Sequence, residues 1–350
     1  MKGLKVIVFF SLVLISSCTN SQKDTGFEQG LMLKNIAYNL AIPAYENSLK
    51  AFKELDSVIN LMKERPSQSD LQMVRDFWTA AAIQWAQTAP YNFGPIDELL
   101  IENNFHYFPI NPTKIQSNLN KYTGEDNFIH TLGSNIRGLG ALEYLLFSEK
   151  AVSNSNTFAF AKMLSQNLVN LNQELVNQWK SNYAKTFTSN TGNNINSSIT
   201  ALTNQWIAIV ENVKNNKIGM PAGKIAGTNK NLLTVQCPYS NTSLSMIAAN
   251  LSALKMSFNG GTGNGIDDYL NVLNISDQNN LALSKKINDK LDALIQLLRD
   301  ENASLSELIQ NDAEKLDPIY LEILNLTILL KTDLMGQLGL ITTFSDSDGD

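Results

Sequence analysis

The chain has 350 residues, and its 27 Lys and Arg against 33 Asp and Glu give a formal charge of -6 at pH 7. This length allows one large or two ordinary domains, and the acidic balance excludes a nucleic-acid-binding protein, because neutralising phosphates needs a clustered surplus of Lys and Arg. Two His and two Cys are too few for a Cys/His zinc site or a disulfide framework, so any metal would be held mainly by oxygen.

Residues 1–17 are predicted to be the signal peptide of a bacterial lipoprotein. Two lysines precede an apolar run that is too short to span a bilayer. The run ends in Ile15-Ser16-Ser17-Cys18, which is typical of the cleavage site at which such a cysteine receives its lipid. Residues 18–26 would form a tether. We therefore expect an exported lipoprotein of the outer membrane, on its periplasmic face or at the cell surface, anchored to the membrane through Cys18.

The rest of the chain is predicted to form amphipathic helices, because its apolar residues recur at spacings of three and four. In the first helix, over 36–62, Pro43 should begin or kink the helix, since proline lacks the N–H that a helical turn needs. Ser69 and Asp70 can cap a second helix, which ends before an irregular aromatic loop over 90–112. Further helices are predicted near residues 127–147, 156–187, 197–216, 241–258, 266–273, 279–300 and 317–338.

This order of elements favours an all-α protein of two packed helical bundles, since apolar alternation of strand length is missing from the sequence. The polar stretch 188–198 suits a linker. It places the boundary between an N-terminal bundle, 27–190, and a C-terminal bundle, 191–350. Cys237 lies in a second irregular segment, and without a His nearby in sequence it is expected to be a buried thiol.

The most informative segment contains residues that helix packing does not require. Gly138 and Gly140 each cost a helix roughly 1 kcal/mol relative to Ala, so a close backbone approach or a bend is expected there. Arg137 and Glu143 flank these glycines in an otherwise apolar stretch. Glu143 could equally be an exposed or salt-bridged carboxylate.

A second set of candidates follows a helix stop. Asp97 and Glu98 come directly after a Gly-Pro pair. Acidic residues there could simply favour the start of the next helix through its dipole.

Several segments, in order along the chain, resemble the imelysin-like family of exported all-helical proteins, which is grouped with peptidase family M75. They are Ile42-Pro43-Ala44-Tyr45, Phe93-Gly94-Pro95, the stretch from Arg137 to Leu146, Ile218-Gly219-Met220-Pro221, Tyr239-Ser240 with Ser243-Leu244, and the terminal Phe344 to Asp350. The resemblance implies a fold of two helical bundles with a site near their interface. The predicted site residues are Arg137, Gly138, Gly140, Asp97, Glu98, Tyr45, Tyr239, Ser240 and Ser243, with Glu143 as a metal ligand.

The family's hallmark, Gly-x-His-x-x-Glu, falls on Gly138, Gly140 and Glu143, so glycine stands where the family has histidine. A His three residues before a Glu can share a helical face with it, as metal ligation requires. Gly140 offers no side-chain ligand. His106 or His130 could replace the missing imidazole only if the fold brought one of them to this position.

Three functions follow from the resemblance. The family's label implies a metallopeptidase, but neither His has a partner with the spacing that a zinc peptidase needs, so an enzyme is the less favoured interpretation. The family is also associated with bacterial iron uptake, and carboxylate and phenolate oxygens suit ferric iron. The leading hypothesis is therefore a lipoprotein that binds iron, or a small iron chelate, between the bundles and works with an envelope transport partner. The alternative is a metal-free helical module that binds a peptide, a glycan or a partner protein.

Overall fold

The computed structural model describes residues 26–125 and 127–343, and within them the chain is all-α, as predicted. The predicted signal peptide, Cys18, nearly all of the tether and the family-like terminal segment from Phe344 to Asp350 lie outside these residues. The α-helices are α1 (Gln29–Asn35), α2 (Ile42–Leu61), α3 (Gln68–Ala86), α4 (Pro95–Glu98), α5 (Asn103–His106), α6 (Pro112–Lys121), α7 (Gly138–Phe147), α8 (Glu149–Val152), α9 (Thr157–Gln178), α10 (Ala184–Ser189), α11 (Ser198–Asn212), α12 (Met220–Ala222), α13 (Ser243–Asn259), α14 (Ile266–Val272), α15 (Leu283–Asp300), α16 (Leu305–Asn311), α17 (Leu316–Ile328) and α18 (Met335–Leu338). No helix in the described part of the chain combines the length and apolar character needed to cross a bilayer.

Four π-helical segments join pairs of these helices into long continuous ones. They are Ile36–Ala41 before α2, Trp179–Tyr183 after α9, Val213–Gly219 after α11 and Leu329–Leu334 after α17. The first accommodates Pro43, which removes one hydrogen-bond donor from the helix, so the helix continues through this residue instead of beginning at it. Such segments shift the helical register and are frequent at functional sites.

In the N-terminal half, α2 packs between α3 and α9, and α7 packs against α3 and α9. The contact face of α2 is apolar and buried at Phe52, Leu55 and Ile59, which is the stripe that its sequence spacing predicts. The Trp78 indole N–H donates a hydrogen bond of 3.0 Å to the carbonyl oxygen of Leu139 and joins α3 to α7. The glycine-containing helix α7 is thus part of the interior of this half.

In the C-terminal half, α15 packs against α13, α14 and α17 through its apolar stripe. Helix α13 also packs against α3 of the N-terminal half. One apolar core runs through both halves as a result. The polar linker over 188–198 connects α10 to α11, and the domain boundary there stays a prediction.

The structure corrects three local predictions. The helix expected over 127–147 begins only at Gly138, whose φ of +72° is incompatible with a continuing helix. The residues before it form two 3-10 turns, Phe128–Thr131 and Ser134–Ile136. The loop over 90–112 contains the short helices α4 and α5.

The cap of α3 is the third correction. Ser67, and not Ser69, is the N-cap: its Oγ accepts a hydrogen bond from the backbone N–H of Asp70, and Asp70 accepts one from the N–H of Ser67. This reciprocal pair satisfies two donors that a helix start otherwise leaves free.

Candidate functional site

A cavity of about 870 Å³ lies between elements from both halves of the chain. Its walls come from the end of α3, the segment with α4 and α5, helix α11 with the π segment that follows it, and α13. Much of the lining is amide-bearing, and these side chains are Asn92, Asn103, Asn204, Gln205, Asn212, Asn216, Gln236 and Asn250. Amides donate and accept hydrogen bonds at once. The cavity is therefore suited to a polar ligand.

Two π segments contribute residues to this cavity. Tyr183 lies at the end of Trp179–Tyr183, and Lys217 lies in Val213–Gly219. The wider turn of a π segment changes which side chains share a face with the preceding helix. The position of both side chains in the wall therefore depends on a local geometry that a regular 3.6-residue repeat does not predict.

Carboxylates line the cavity where it is open to solvent. Asp97 and Glu102 are both exposed and both line it. Desolvation raises the pKa of each, and the negative charge of Asp97 raises the pKa of Glu102 further, so the two groups lie near each other. The amide of Asn92 donates a hydrogen bond of 3.4 Å to Glu102 Oε1. Glu98, by contrast, is exposed and does not line the cavity.

Tyr45, another predicted site residue, supports this wall from behind. It is fully buried, and its hydroxyl lies 2.9 Å from the carbonyl oxygen of Tyr91 and 3.0 Å from Asn92 Oδ1. Burial raises the pKa of the Tyr45 hydroxyl well above its usual range. Tyr45 is therefore a neutral phenol that positions Asn92. Tyr45 itself does not line the cavity.

The cavity lining also contains a buried cation, Lys217. Lys217 is only 7% exposed, and its Nζ donates a hydrogen bond of 2.6 Å to Asn250 Oδ1. Asn250 in turn donates to the carbonyl oxygen of Ala86, 2.8 Å away, at the end of α3. Within the described residues Lys217 has no ion-pair partner, and burial lowers its pKa to about 8. The cavity thus has carboxylates at its opening and an ammonium group in its interior.

His106 lies next to the glycine that replaces the family's histidine. A Cβ built on Gly140 would lie 3.9 Å from His106 Cδ2, and it would meet Ile110 Cγ2 at 2.6 Å and the carbonyl oxygen of Tyr107 at 3.1 Å. The aromatic ring of Trp85 stacks on Phe105 at a centroid distance of 3.9 Å and holds α5 in this place. The tertiary fold therefore brings an imidazole close to position 140.

The environment of His106 keeps its imidazole neutral. Burial, and then the positive charge of Lys217, lower the pKa of His106 to about 3. Its Nε2 lies 3.5 Å from Cys237 Sγ, and its buried Nδ1 has no hydrogen-bond partner within the described residues. Burial raises the pKa of Cys237 well above its usual range. Cys237 is thus a buried neutral thiol, as predicted, in contact with a neutral imidazole.

Glu143 joins the two halves of the chain near this site. Only 1% of the residue is exposed, and Oε1 accepts three hydrogen bonds: from the backbone N–H of Tyr239 at 2.9 Å, and from the N–H and the hydroxyl of Ser240 at 2.7 Å each. Burial raises the pKa of Glu143 to about 7, although these hydrogen bonds act to lower it. Three residues after Ser240, the hydroxyl of Ser243 donates a hydrogen bond to the carbonyl oxygen of Gln236.

These contacts fix the segment that carries Gln236 into the cavity wall. Glu143, Tyr239, Ser240 and Ser243 are all predicted site residues, and the structure brings them together. Glu143 itself does not line the cavity. Its role as a metal ligand stays a prediction.

The remaining predicted residues surround the start of α7. Gly138 packs so closely on α5 that a Cβ there would lie 2.5 Å from the carbonyl oxygen of Phe105, which explains the glycine. Arg137 makes no ion pair with Glu143 in the described structure, and its buried Nε has no hydrogen-bond partner there. Burial lowers the pKa of Arg137. Within residues 26–125 and 127–343, no group of three or more His, Cys, Asp or Glu is arranged to hold a metal ion.

The sequence profile of the imelysin family, peptidase M75, matches residues 41–318. The chain belongs to the imelysin family. Its fold is similar to that of an imelysin-like protein from Psychrobacter arcticum 273-4, with a TM-score of 0.76 and 20% identity over 90% of this chain and 97% of that one. It is also similar to a "putative iron-regulated protein A precursor" from Parabacteroides distasonis ATCC 8503, with a TM-score of 0.73 and 19% identity over 90% of this chain and 95% of that one. A comparison with curated protein sequences gives no match.

Of the polar groups that line the cavity, the sequence predicted Asp97 as a site residue but not Glu102, Lys217, Gln236 or Asn250. Lys217 directly precedes the family-like segment Ile218-Gly219-Met220-Pro221, and that adjacency is the one signal that pointed to it. Glu102, Gln236 and Asn250 carry no comparable signal, because they reach the cavity only through tertiary packing.

Proposed function

We propose that this member of the imelysin family is an exported protein of the cell envelope that binds iron in the cavity, as a complex with a small chelator that supplies oxygen ligands. The observation that carries the proposal is the polarity of the cavity. The exposed carboxylates of Asp97 and Glu102, the buried ammonium group of Lys217 and several amide side chains all line it. A complex with a cationic metal centre and anionic chelator oxygens matches both charges.

The carboxylates fit hard ferric iron, which prefers oxygen ligands. The described residues do not supply a complete set of metal ligands. A chelator would supply the missing oxygens, and the protein would then recognise the complex through Asp97, Glu102 and hydrogen bonds from the amides. This distribution of roles favours an iron chelate over a bare ion.

Two further observations support an envelope location. Residues 1–17 have the pattern expected of a lipoprotein signal, and Cys18 would then anchor the protein to the outer membrane through a lipid. One protein of the same fold is described as a "putative iron-regulated protein A precursor". An envelope protein that holds an iron complex would pass it to a transport partner.

Titration of the purified protein with ferric citrate tests the proposal. We expect saturable binding of the iron complex, and we expect the double variant Asp97→Asn, Glu102→Gln to bind at least about tenfold more weakly, since each carboxylate offers a charge-assisted contact. Glu98→Gln is the matched control, because Glu98 lies beside Asp97 and does not line the cavity. Absence of iron binding in the wild type, or equal losses in the double variant and the control, would refute the proposal.

A second candidate function is metal-free binding of a polar organic ligand such as a glycan. The observation in its favour is the set of amide side chains in the lining, since amides pair well with hydroxyl groups. Binding of a neutral oligosaccharide with no effect of the Asp97→Asn, Glu102→Gln exchange would support this candidate against iron.

A further inference from the structure

The cavity lining contains a buried lysine whose charge is not balanced by any of the described residues. Lys217 is 7% exposed, and its ammonium group has one hydrogen-bond acceptor, Asn250 Oδ1 at 2.6 Å. Two titratable groups of the described residues interact with its charge, His106 and Cys237, and both are neutral. Buried charges are normally paired, because an unpaired charge out of water is costly. An ammonium group with two free N–H donors in a cavity wall is therefore a binding group for an anion.

Lys214 shows that burial of a lysine in this segment does not by itself place it at the cavity. It lies in the same π segment, Val213–Gly219, and it is also 7% exposed. Lys214 does not line the cavity, whereas Lys217 does. The two residues form a matched pair that differs in access to the cavity.

A second observation in the cavity lining points to a ligand, at the residue before Cys237, whose thiol interacts with Lys217. Gln236 is 4% exposed and lines the cavity, and its Oε1 has no hydrogen-bond partner within the described residues. Buried polar atoms nearly always have a partner, so an orphaned acceptor indicates a missing donor. The neighbouring His106, whose Nδ1 is also without a partner, lies in the same lining.

We propose that this inner wall binds a small hydroxycarboxylate, with Lys217 holding the carboxylate and Gln236 accepting a hydrogen bond from the hydroxyl group. An anionic oxygen satisfies the ammonium group, and an adjacent hydroxyl supplies the donor that Gln236 Oε1 lacks. A hydroxyl fits better than an amine, because a second ammonium group would be repelled by Lys217. The inference rests on the proposed function in placing the ligand in this cavity, and it names the chemical class of the chelator.

Calorimetric titration of the full chain with citrate, in the absence of iron, tests this inference. Citrate carries three carboxylates and one hydroxyl, tricarballylate carries the same carboxylates without the hydroxyl, and erythritol carries hydroxyls without a carboxylate. We expect citrate to bind, tricarballylate to bind roughly tenfold more weakly because Gln236 stays unpaired, and erythritol not to bind. These three ligands test the wild-type protein and need no variant.

Variants then assign the carboxylate contact. We expect Lys217→Met to weaken citrate binding at least about thirtyfold, Lys217→Arg to retain part of it, and Lys214→Met to leave it unchanged. Thermal unfolding of each variant identifies any that does not fold. No binding of citrate by the wild type, equal binding of citrate and tricarballylate, or equal losses in Lys217→Met and Lys214→Met would overturn the inference.

Repeating the titration with ferric citrate separates this inference from the proposed function. If citrate binding depends on Lys217 and its affinity does not rise when iron is added, the hydroxycarboxylate site is supported and the iron function is refuted. If iron binding depends on Asp97 and Glu102 while citrate binding is unchanged in Lys217→Met, the iron function is supported and this site is refuted.

Discussion

Glu143 and Ser240 connect the two halves of the chain through one carboxylate oxygen, because Glu143 Oε1 accepts hydrogen bonds of 2.7 Å from both the backbone N–H and the hydroxyl of Ser240. The backbone N–H of Tyr239 adds a third hydrogen bond to the same oxygen. Glu143 and Ser240 lie 97 positions apart in the sequence. This contact holds the segment that carries Gln236 into the cavity wall, so the motif glutamate influences the cavity from outside its lining.

Removing the Glu143 carboxylate should therefore destabilise the fold more than replacing it with a neutral amide. Glu143→Ala leaves the N–H groups of Tyr239 and Ser240 without their acceptor and opens a cavity, and we expect it to lower the free energy of unfolding by about 3–5 kcal/mol. Glu143→Gln keeps an oxygen acceptor and should cost clearly less. Urea denaturation at pH 7 measures both, with Glu314→Ala at an exposed position as the control. Equal losses in the two Glu143 variants would show that the oxygen acceptor is not what stabilises this contact.

The raised pKa of Glu143 predicts a specific pH dependence of stability. The folded carboxyl titrates at about 7 against 4.5 in its ordinary state, so the folded protein binds this proton more tightly than the unfolded chain. Stability should fall as the pH rises from 4.5 to 7 and level off above that range. Glutamine does not titrate, so Glu143→Gln should not show this fall. Relative to the wild type, the unfolding free energy of Glu143→Gln should therefore rise by about 3 kcal/mol between pH 4.5 and 7. A difference that is constant with pH would contradict the raised pKa.

The close packing at Gly140 predicts a cost for any side chain there. A Cβ would lie 2.6 Å from Ile110 Cγ2, so we expect Gly140→Ala to lower the free energy of unfolding by about 1–3 kcal/mol. Gly336→Ala is the matched control, because it is also helical and has no atom within 4 Å of its Cβ position. That exchange should be neutral or stabilising by up to about 1 kcal/mol. Similar effects at the two glycines would contradict the tight packing of α7 on the segment before it.

Cys237 should be unreactive in the folded protein. Only 2% of the residue is exposed, and burial raises the pKa of its thiol, so little thiolate is available to attack a reagent. We expect alkylation of Cys237 by iodoacetamide at pH 8 to be at least about a hundredfold slower in the native protein than in urea, as followed by mass spectrometry of the peptide that contains it. Comparable rates in the two conditions would show an accessible thiol.

Helix periodicity predicted most of the fold, because it depends on local spacing. The stripe of Leu283, Ile287, Leu291, Leu294 and Leu298 is buried along α15, as its four-residue and three-residue steps indicate. The close backbone approach expected at Gly138 is also present, against Phe105. Its left-handed backbone, which delays the start of α7, was not predicted, since a glycine in a helical pattern allows either outcome.

The composition of the cavity could not be predicted in the same way. Asn215, Asn216 and Lys217 form a polar run that is typical of an exposed helix face, and the π turn together with packing against α13 places Lys217 in the interior. The proximity of His106 to Gly140 is likewise a tertiary contact between residues 34 positions apart, and their sequence spacing gives no sign of it.

X-ray diffraction at the iron absorption edge, from crystals of the protein grown with ferric citrate, tests the central claim most directly. We expect an anomalous iron peak inside the cavity near Asp97 and Glu102, with citrate density reaching Lys217. Iron found only at carboxylates outside the cavity, or a cavity without iron at saturating ferric citrate, would contradict it.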